Sequence, residues 1–210
     1  GEEHRPSRVE WLCSVCQNLH RACNVNAYCT LRKQKMNRTR PFFITGTDTE
    51  VGKTHFAVRW LRHRCDKCVP SVVYKPVASG VEGIVPEGGQ NPDVLALAEA
   101  SGFDMNALSL HTYRHAMAPE MARRLEGEGP TPDEITAWCN ERIRPNAAFE
   151  GVGGLFVPLH GKFEVADLIQ RLALPVVLVA RAGLGTVNHT ILSVSAIRDM
   201  GLELASVVIS

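Results

Sequence analysis

The sequence has no long hydrophobic run, no marked charge of either sign, no internal repeat and no low-complexity tract. Its longest apolar stretch, Leu172 to Ala180, is interrupted by Pro175 and falls far short of the roughly 20 residues that span a bilayer as a helix. A formal net charge of +1 removes the electrostatic case for nucleic acid or an anionic membrane as partner. The first residues contain no apolar segment of the kind a secretory signal needs. A reducing cytoplasm and free thiols are therefore expected for the seven cysteines.

What is present is the composition of a soluble globular protein, 45% hydrophobic and 21% charged over 210 residues. That length can bury a core without disulfides. Residues 1–36 stand apart, being rich in Cys, Arg and Asn. Cys13, Cys16, Cys23 and Cys29 fall there, but the spacing after the first pair is too short for the common zinc patterns. The segment reads as a disordered extension or as upstream sequence joined at Met36. Glu2, Glu3 and Glu10 argue against a transit peptide. Residues 37–210 read as one domain, apparently C-terminally truncated because Ser210 falls at the end of a strand.

From Pro41 onward strands alternate with helices. Phe42–Thr45, Ser71–Tyr74 and Val176–Val179 are β-prone. Ala147–Phe149 is a weaker strand before a Glu150-Gly151 turn, and Leu204–Ile209 is the last strand. Thr54–Arg64 places Phe56, Ala57, Trp60 and Leu61 on one helical face. Asn91-Pro92-Asp93 has the cap, N1 proline and first-turn acid of a helix start, and Gly102 closes that helix. Thr131 and Glu134 have capping-box spacing. Thr186–Met200 is a further helix, ended by Gly201. The expected fold is α/β: a doubly wound, mostly parallel sheet with helices on both faces.

The chemistry concentrates in five segments. Gly46-Thr47-Asp48-Thr49-Glu50-Val51-Gly52-Lys53-Thr54 joins a strand to a helix, as a phosphate-binding loop does. Backbone N–H groups and the helix dipole favour phosphate there, lysine adds charge and the threonine hydroxyl can ligate magnesium. The loop has one residue more than the usual Gly-x-x-x-x-Gly-Lys-Ser/Thr pattern. Lys75 ends a strand, at the edge where parallel sheets bind ligands; it is either a phosphoryl-neutralising cation or a solvated charge. Asp93 either complements its helix dipole or ligates a metal. Glu150 is either a metal-coordinating acid at a strand end or an exposed residue of a glycine turn. Gly183–His189 is either an anion-binding helix start or an ordinary loop capped by Thr186 or Asn188.

Together these segments resemble the dethiobiotin synthetase family. The matching motifs are Gly46–Thr54 with its extra residue, Tyr74–Gly80, Asn91–Asp93, Glu150–Gly154 and Leu184–His189. The resemblance implies a P-loop NTPase-like fold and closure of a ureido ring on 7,8-diaminononanoate with CO2 and ATP. A carbamate and a carbamic-phosphoric anhydride would be the intermediates. It implies Mg2+ held by Thr54, Asp93 and Glu150, and ATP bound by Glu50, Val51, Gly52, Lys53, Thr54, His55, Asp93, Glu150, Gly151, Val152 and Gly153. Lys53, Lys75, Thr49 and Glu50 would be catalytic. Ser79, Gly154, Leu184 and Asn188 would meet the substrate, the last two from the partner subunit of a homodimer. The competing readings are a partition-type ATPase, disfavoured by the lack of a lysine early in the loop, and a non-catalytic truncated nucleotide-binding protein.

Overall fold

The computed structural model describes residues 39–81 and 90–210; the readings made for residues 1–36 lie outside that range. Five strands form an all-parallel sheet. They are β1 (Phe42–Gly46), β2 (Val72–Tyr74), β5 (Ala147–Gly154), β8 (Val176–Ala180) and β9 (Leu204–Ile209), in the order β2-β5-β1-β8-β9. Two small pairs flank it. β3 (Val77–Ser79) runs parallel to β4 (His111–Tyr113), and β6 (Pro158–His160) runs antiparallel to β7 (Phe163–Glu164).

Seven helices connect these strands among the described residues: α1 (Lys53–Cys65), α2 (Pro92–Ser101), α3 (Met105–Leu108), α4 (Pro119–Glu126), α5 (Pro132–Asn140), α6 (Val165–Leu172) and α7 (Thr186–Asp199). Successive side chains of β5 point to opposite faces of the sheet. Glu150 meets Thr54 of α1, whereas a Cβ on the next residue, Gly151, would stand 3.1 Å from Val165 of α6. Helices α1 and α6 therefore cover opposite faces. Covered on both sides, β8 reads as a continuous apolar run and β1 departs from one only at Thr45, and every residue of each is buried. Phe43, Ile44, Phe149, Leu178 and Ile197 form the middle of the core. No helix among the described residues is long and apolar enough to cross a membrane.

Local signals set most helix starts. The Asn91 side chain accepts from the N–H groups of Asp93 and Val94, and Gly102 takes the left-handed conformation at the other end. Thr131 and Glu134 form the expected reciprocal box. Two expectations need correction. The strand at Ala147 does not stop before Glu150 but continues to Gly154. Glycine is a poor strand former, yet here its missing side chain is needed: a Cβ on Gly151 would come within 2.9 Å of the Phe43 ring. Nor is α7 capped by Thr186 or Asn188. Its N-cap is Gly185 in the left-handed region, with no side-chain cap.

Candidate active site

The extended loop after β1 curls back on itself. Gly46 admits no side chain, because a Cβ would meet the Asp48 carbonyl and the Val51 methyl, each at 2.7 Å. Gly52 is left-handed (φ 93), and Glu50 takes φ 55, uncommon for a residue with a side chain. Asp48 holds the loop from within by accepting from Thr49 N–H at 2.7 Å. Val51 is tucked beneath the loop, while Thr49 and Glu50 stand at its exposed rim. Gly52 then starts α1 with no side chain capping its N–H groups, which leaves those donors for an anion.

Lys53 bends over the loop and donates to the Asp48 carbonyl at 3.0 Å. Burial and the neighbouring Lys75 charge depress its pKa to about 8, against the opposing pull of Glu150, Asp93 and Asp48. Lys75 is 2% exposed and bridges two carboxylates, Asp93 Oδ2 at 2.6 Å and Glu150 Oε1 at 2.7 Å. Burial opposes its charge, but those carboxylates prevail and hold its pKa above the ordinary value. Burial likewise opposes ionisation of Asp93, and the Lys75 charge and hydrogen bond outweigh it, so the carboxyl stays below its usual range.

Glu150 Oε1 also accepts from Thr54 Oγ1 at 2.6 Å. Its second oxygen, Oε2, is buried without a hydrogen-bond partner. A fully buried, half-satisfied carboxylate is costly to keep. Together with Asp93 and the Thr54 hydroxyl it forms an all-oxygen donor set, the kind a hard divalent cation takes. Lys75 supplies the compensating charge in this arrangement.

Lys53, Thr54, Lys75 and Asp93 open on one cavity of about 580 Å³, whereas Glu150 is buried behind its partners Thr54 and Lys75 and does not line it. Thr49, Glu50, Gly52, Lys53, Thr54 and His55 line one side of it. Lys75, Ser79 and Asp93 also line it, with Val152 and Gly153 of β5. Gly153 (φ 59) lies where the β1–β5 register slips, and a Cβ there would meet Val157 at 2.6 Å. This bulge beside the site brings β5 close to the loop. The Ser79 hydroxyl is shielded from water and unpartnered. Asn91, read from sequence only as a helix cap, also donates to the carbonyls of Ser79 and Gly80 at 3.0 and 2.7 Å. It thus locks α2, and with it Asp93, to the end of β3.

Several sequence candidates do not reach this cavity. Gly151 lies within the strand, on the opposite sheet face from Thr54. Gly154 lines a separate depression of about 360 Å³ with Thr47, Asp48, Phe156 and Leu192. Leu184 is 99% exposed and Asn188 is exposed, and neither lines the main cavity. Conversely, Ala116, Met117, Ala118 and Val157 are wall residues that no motif announced. Only their position after β4 and β5 brings them there.

A family model described as an AAA domain matches residues 40–210. The ATP-dependent dethiobiotin synthetase of Anaeromyxobacter dehalogenans (strain 2CP-C) is 39% identical over 175 residues, covering 81% of this chain and 76% of its own. The enzyme of the same name from Bacillus subtilis (strain 168) is 34% identical over 173 residues, covering 81% of this chain and 74% of its own. Among solved structures, the kinase domain of Escherichia coli tyrosine kinase ETK aligns over 100% of this chain and 82% of its own, with a TM-score of 0.45 and 13% identity.

Proposed function

We propose that this chain, which belongs to the ATP-dependent dethiobiotin synthetase family, carries out its reaction with the buried cluster of Lys75, Glu150, Asp93 and Thr54 beside the phosphate loop. The reaction is the ATP-dependent ring closure that gives dethiobiotin. Relatives of this identity and coverage do not favour the partition-type or non-catalytic readings. The observation that carries the assignment of roles is the bridged Lys75, held charged between two carboxylates at the edge of the ATP loop.

The substrates in this reading are 7,8-diaminononanoate, CO2 and ATP. One amine adds to CO2 and loses a proton, leaving a carbamate. A carbamate oxygen attacks the γ-phosphorus and ADP departs. The second amine attacks the carbamoyl carbon and loses a proton, and phosphate leaves as the ring closes. Two anions must approach each other, so the protein's task is positioning and neutralisation. Lys53 and Lys75 supply the positive charge. The uncapped N-terminus of α1 receives the phosphates, with Glu50, Val51, Gly52 and His55 forming the loop around them and Val152 and Gly153 the opposite wall. Thr49 shapes the loop near the reacting centre, and the unpartnered Ser79 hydroxyl is suited to bond carbamate or substrate.

Thr54, Asp93 and Glu150 would hold Mg2+, which when bound offsets phosphate charge. Gly154, Leu184 and Asn188 would meet the substrate in a homodimer, the latter two reaching across from the partner subunit. Their exposure, away from the chain's own cavity, supports that reading. The enzyme would work in the cytoplasm.

Formation of dethiobiotin from diaminononanoate, bicarbonate and Mg-ATP tests the roles. Lys75→Ala, checked for retained folding by circular dichroism, should lose at least about a thousandfold in turnover while retaining much of its ATP binding. An unchanged rate would remove Lys75 from the mechanism.

A further inference from the structure

Helix α1 carries the phosphate loop at its start, and its other end breaks a local rule. Val69 N–H donates to the Arg64 carbonyl at 3.0 Å and Cys68 N–H to the Cys65 carbonyl at 2.8 Å. This pair of bonds is the helix ending that normally places glycine in the left-handed position. Here that position is Cys68, with φ 54. A residue with a Cβ is disfavoured in such a backbone, and departures of this kind prompt the question of what the side chain does.

The same turn brings a second thiol alongside. Cys65 and Cys68 occupy the first and fourth positions of a hydrogen-bonded turn, whose Cα atoms lie within about 7 Å of each other. Disulfides span Cα separations of about 4.4–6.8 Å. Both cysteines are exposed, and both line one cavity of about 270 Å³ with Leu61, Val69, Pro70 and Ala100. Cys139 is the internal contrast: it is 0% exposed, and burial pushes its thiol up to about 12. Among the described residues, no group of three or more His, Cys, Asp or Glu residues is placed to hold a metal ion.

We propose that Cys65 and Cys68 form a dithiol site that closes to an internal disulfide by exchange with a small-molecule disulfide. One cysteine loses its proton to solvent and its thiolate attacks a sulfur of the small disulfide, expelling one small thiolate. The second cysteine, also deprotonated, attacks the protein sulfur of the mixed disulfide and expels the other. The two released thiolates take up the two protons. The protein pair is thus oxidised by two electrons, and the small disulfide is reduced to two thiols. The site lies one helix length, about 18 Å at 1.5 Å per residue, from the phosphate loop.

The test uses the full chain equilibrated with oxidised and reduced glutathione, quenched by alkylation and digested with trypsin. Lys67 lies between the two cysteines, so cleavage there leaves two peptides joined only by the proposed bond. The linked pair should rise with the oxidised fraction and disappear on reduction, while Cys139 remains a free thiol until the protein is unfolded. Phenylarsine oxide, which needs two neighbouring thiols, should protect both cysteines from alkylation. Cys68→Gly, which suits the left-handed backbone, should abolish that protection with dethiobiotin formation unchanged. The proposal is overturned if Cys65 and Cys68 stay separate, whether free or singly glutathionylated, at every ratio. It is equally overturned if either joins a different cysteine, or if phenylarsine oxide protects neither.

Discussion

Two glutamates are shut away from bulk water among cations, and they differ in one respect. Glu120, at the start of α4, has both oxygens fully used. Oε1 accepts from Arg124 Nε at 2.7 Å and Arg123 Nη2 at 3.2 Å, and Oε2 from Arg123 Nε and Gly161 N, both at 2.8 Å. The arginines that bond it are themselves 28% and 65% exposed. Glu150 lies at the centre of the sheet with Oε1 doubly bonded and Oε2 left over. A saturated carboxylate has finished its work by clamping α4 to the β6–β7 turn. An unsaturated one in the core retains capacity for a ligand.

Substitution of each glutamate should separate the two. The largest effect is expected from Glu150→Gln, which keeps the shape but removes the charge. Dethiobiotin turnover, measured well below the variant's thermal midpoint, should fall by about a hundredfold or more. A loss mainly in stability would make Glu150 another clamp and erase the contrast. Glu120→Gln should do the reverse, costing roughly 2 kcal/mol in urea unfolding by weakening charged hydrogen bonds and leaving kcat within about twofold.

Acid sharpens the same contrast. The hydrogen bonds from Arg123 come first, with those from Gly161 and Arg124, in holding Glu120 well below its ordinary 4.5 against the opposing effect of burial. A carboxylate depressed in the folded state stabilises fully above its unfolded value and loses that contribution as pH falls toward the folded one. The stability gap between the parent and Glu120→Gln should therefore hold steady down to about pH 5 and narrow below it. A gap that stays constant to low pH would mean that the charge is not what the clamp uses.

The smallest effect belongs to Lys53. With its pKa near 8, the ligand-free protein loses this charge as pH rises through that value. ATP affinity should decline several-fold from about pH 7 to pH 9, and binding near pH 8 should take up protons as the phosphates restore the charge. Calorimetry in buffers of different ionisation enthalpy reads that uptake directly. Affinity flat across the range, with no proton uptake, would place Lys53 outside the binding charge.

Features written into a few consecutive residues are legible in the sequence alone. Gly46–Thr54 announces a strand, a turn and a helix start, and Asn91 and Thr131 announce caps, because each depends on neighbours within a turn. The three-residue strands β3 and β4 are too short to show periodicity. Helix α4 carries two arginines and two glutamates with no side-chain cap to mark its start. At Glu150 the local signal misleads. Glycines after a short apolar run ordinarily mean a turn, but Phe43 and Val165 fill the space beside Gly151, and Val157 that beside Gly153, as the strand continues.

By itself, then, the chain determined the phosphate loop, most of the strands and helices, and the identity of the charged residues around the loop, since backbone stereochemistry and short-range hydrogen bonds act over a few residues. Only the tertiary structure decided how those charges combine. Lys75 meets Glu150 across 75 positions of sequence and Thr54 meets it across 96. Burial then turns what could have been solvated surface charges into a cluster that must neutralise itself. The same distinction separates Glu150 from Glu120: both are glutamate in the sequence, and only the packed sheet leaves one of them with an oxygen to spare.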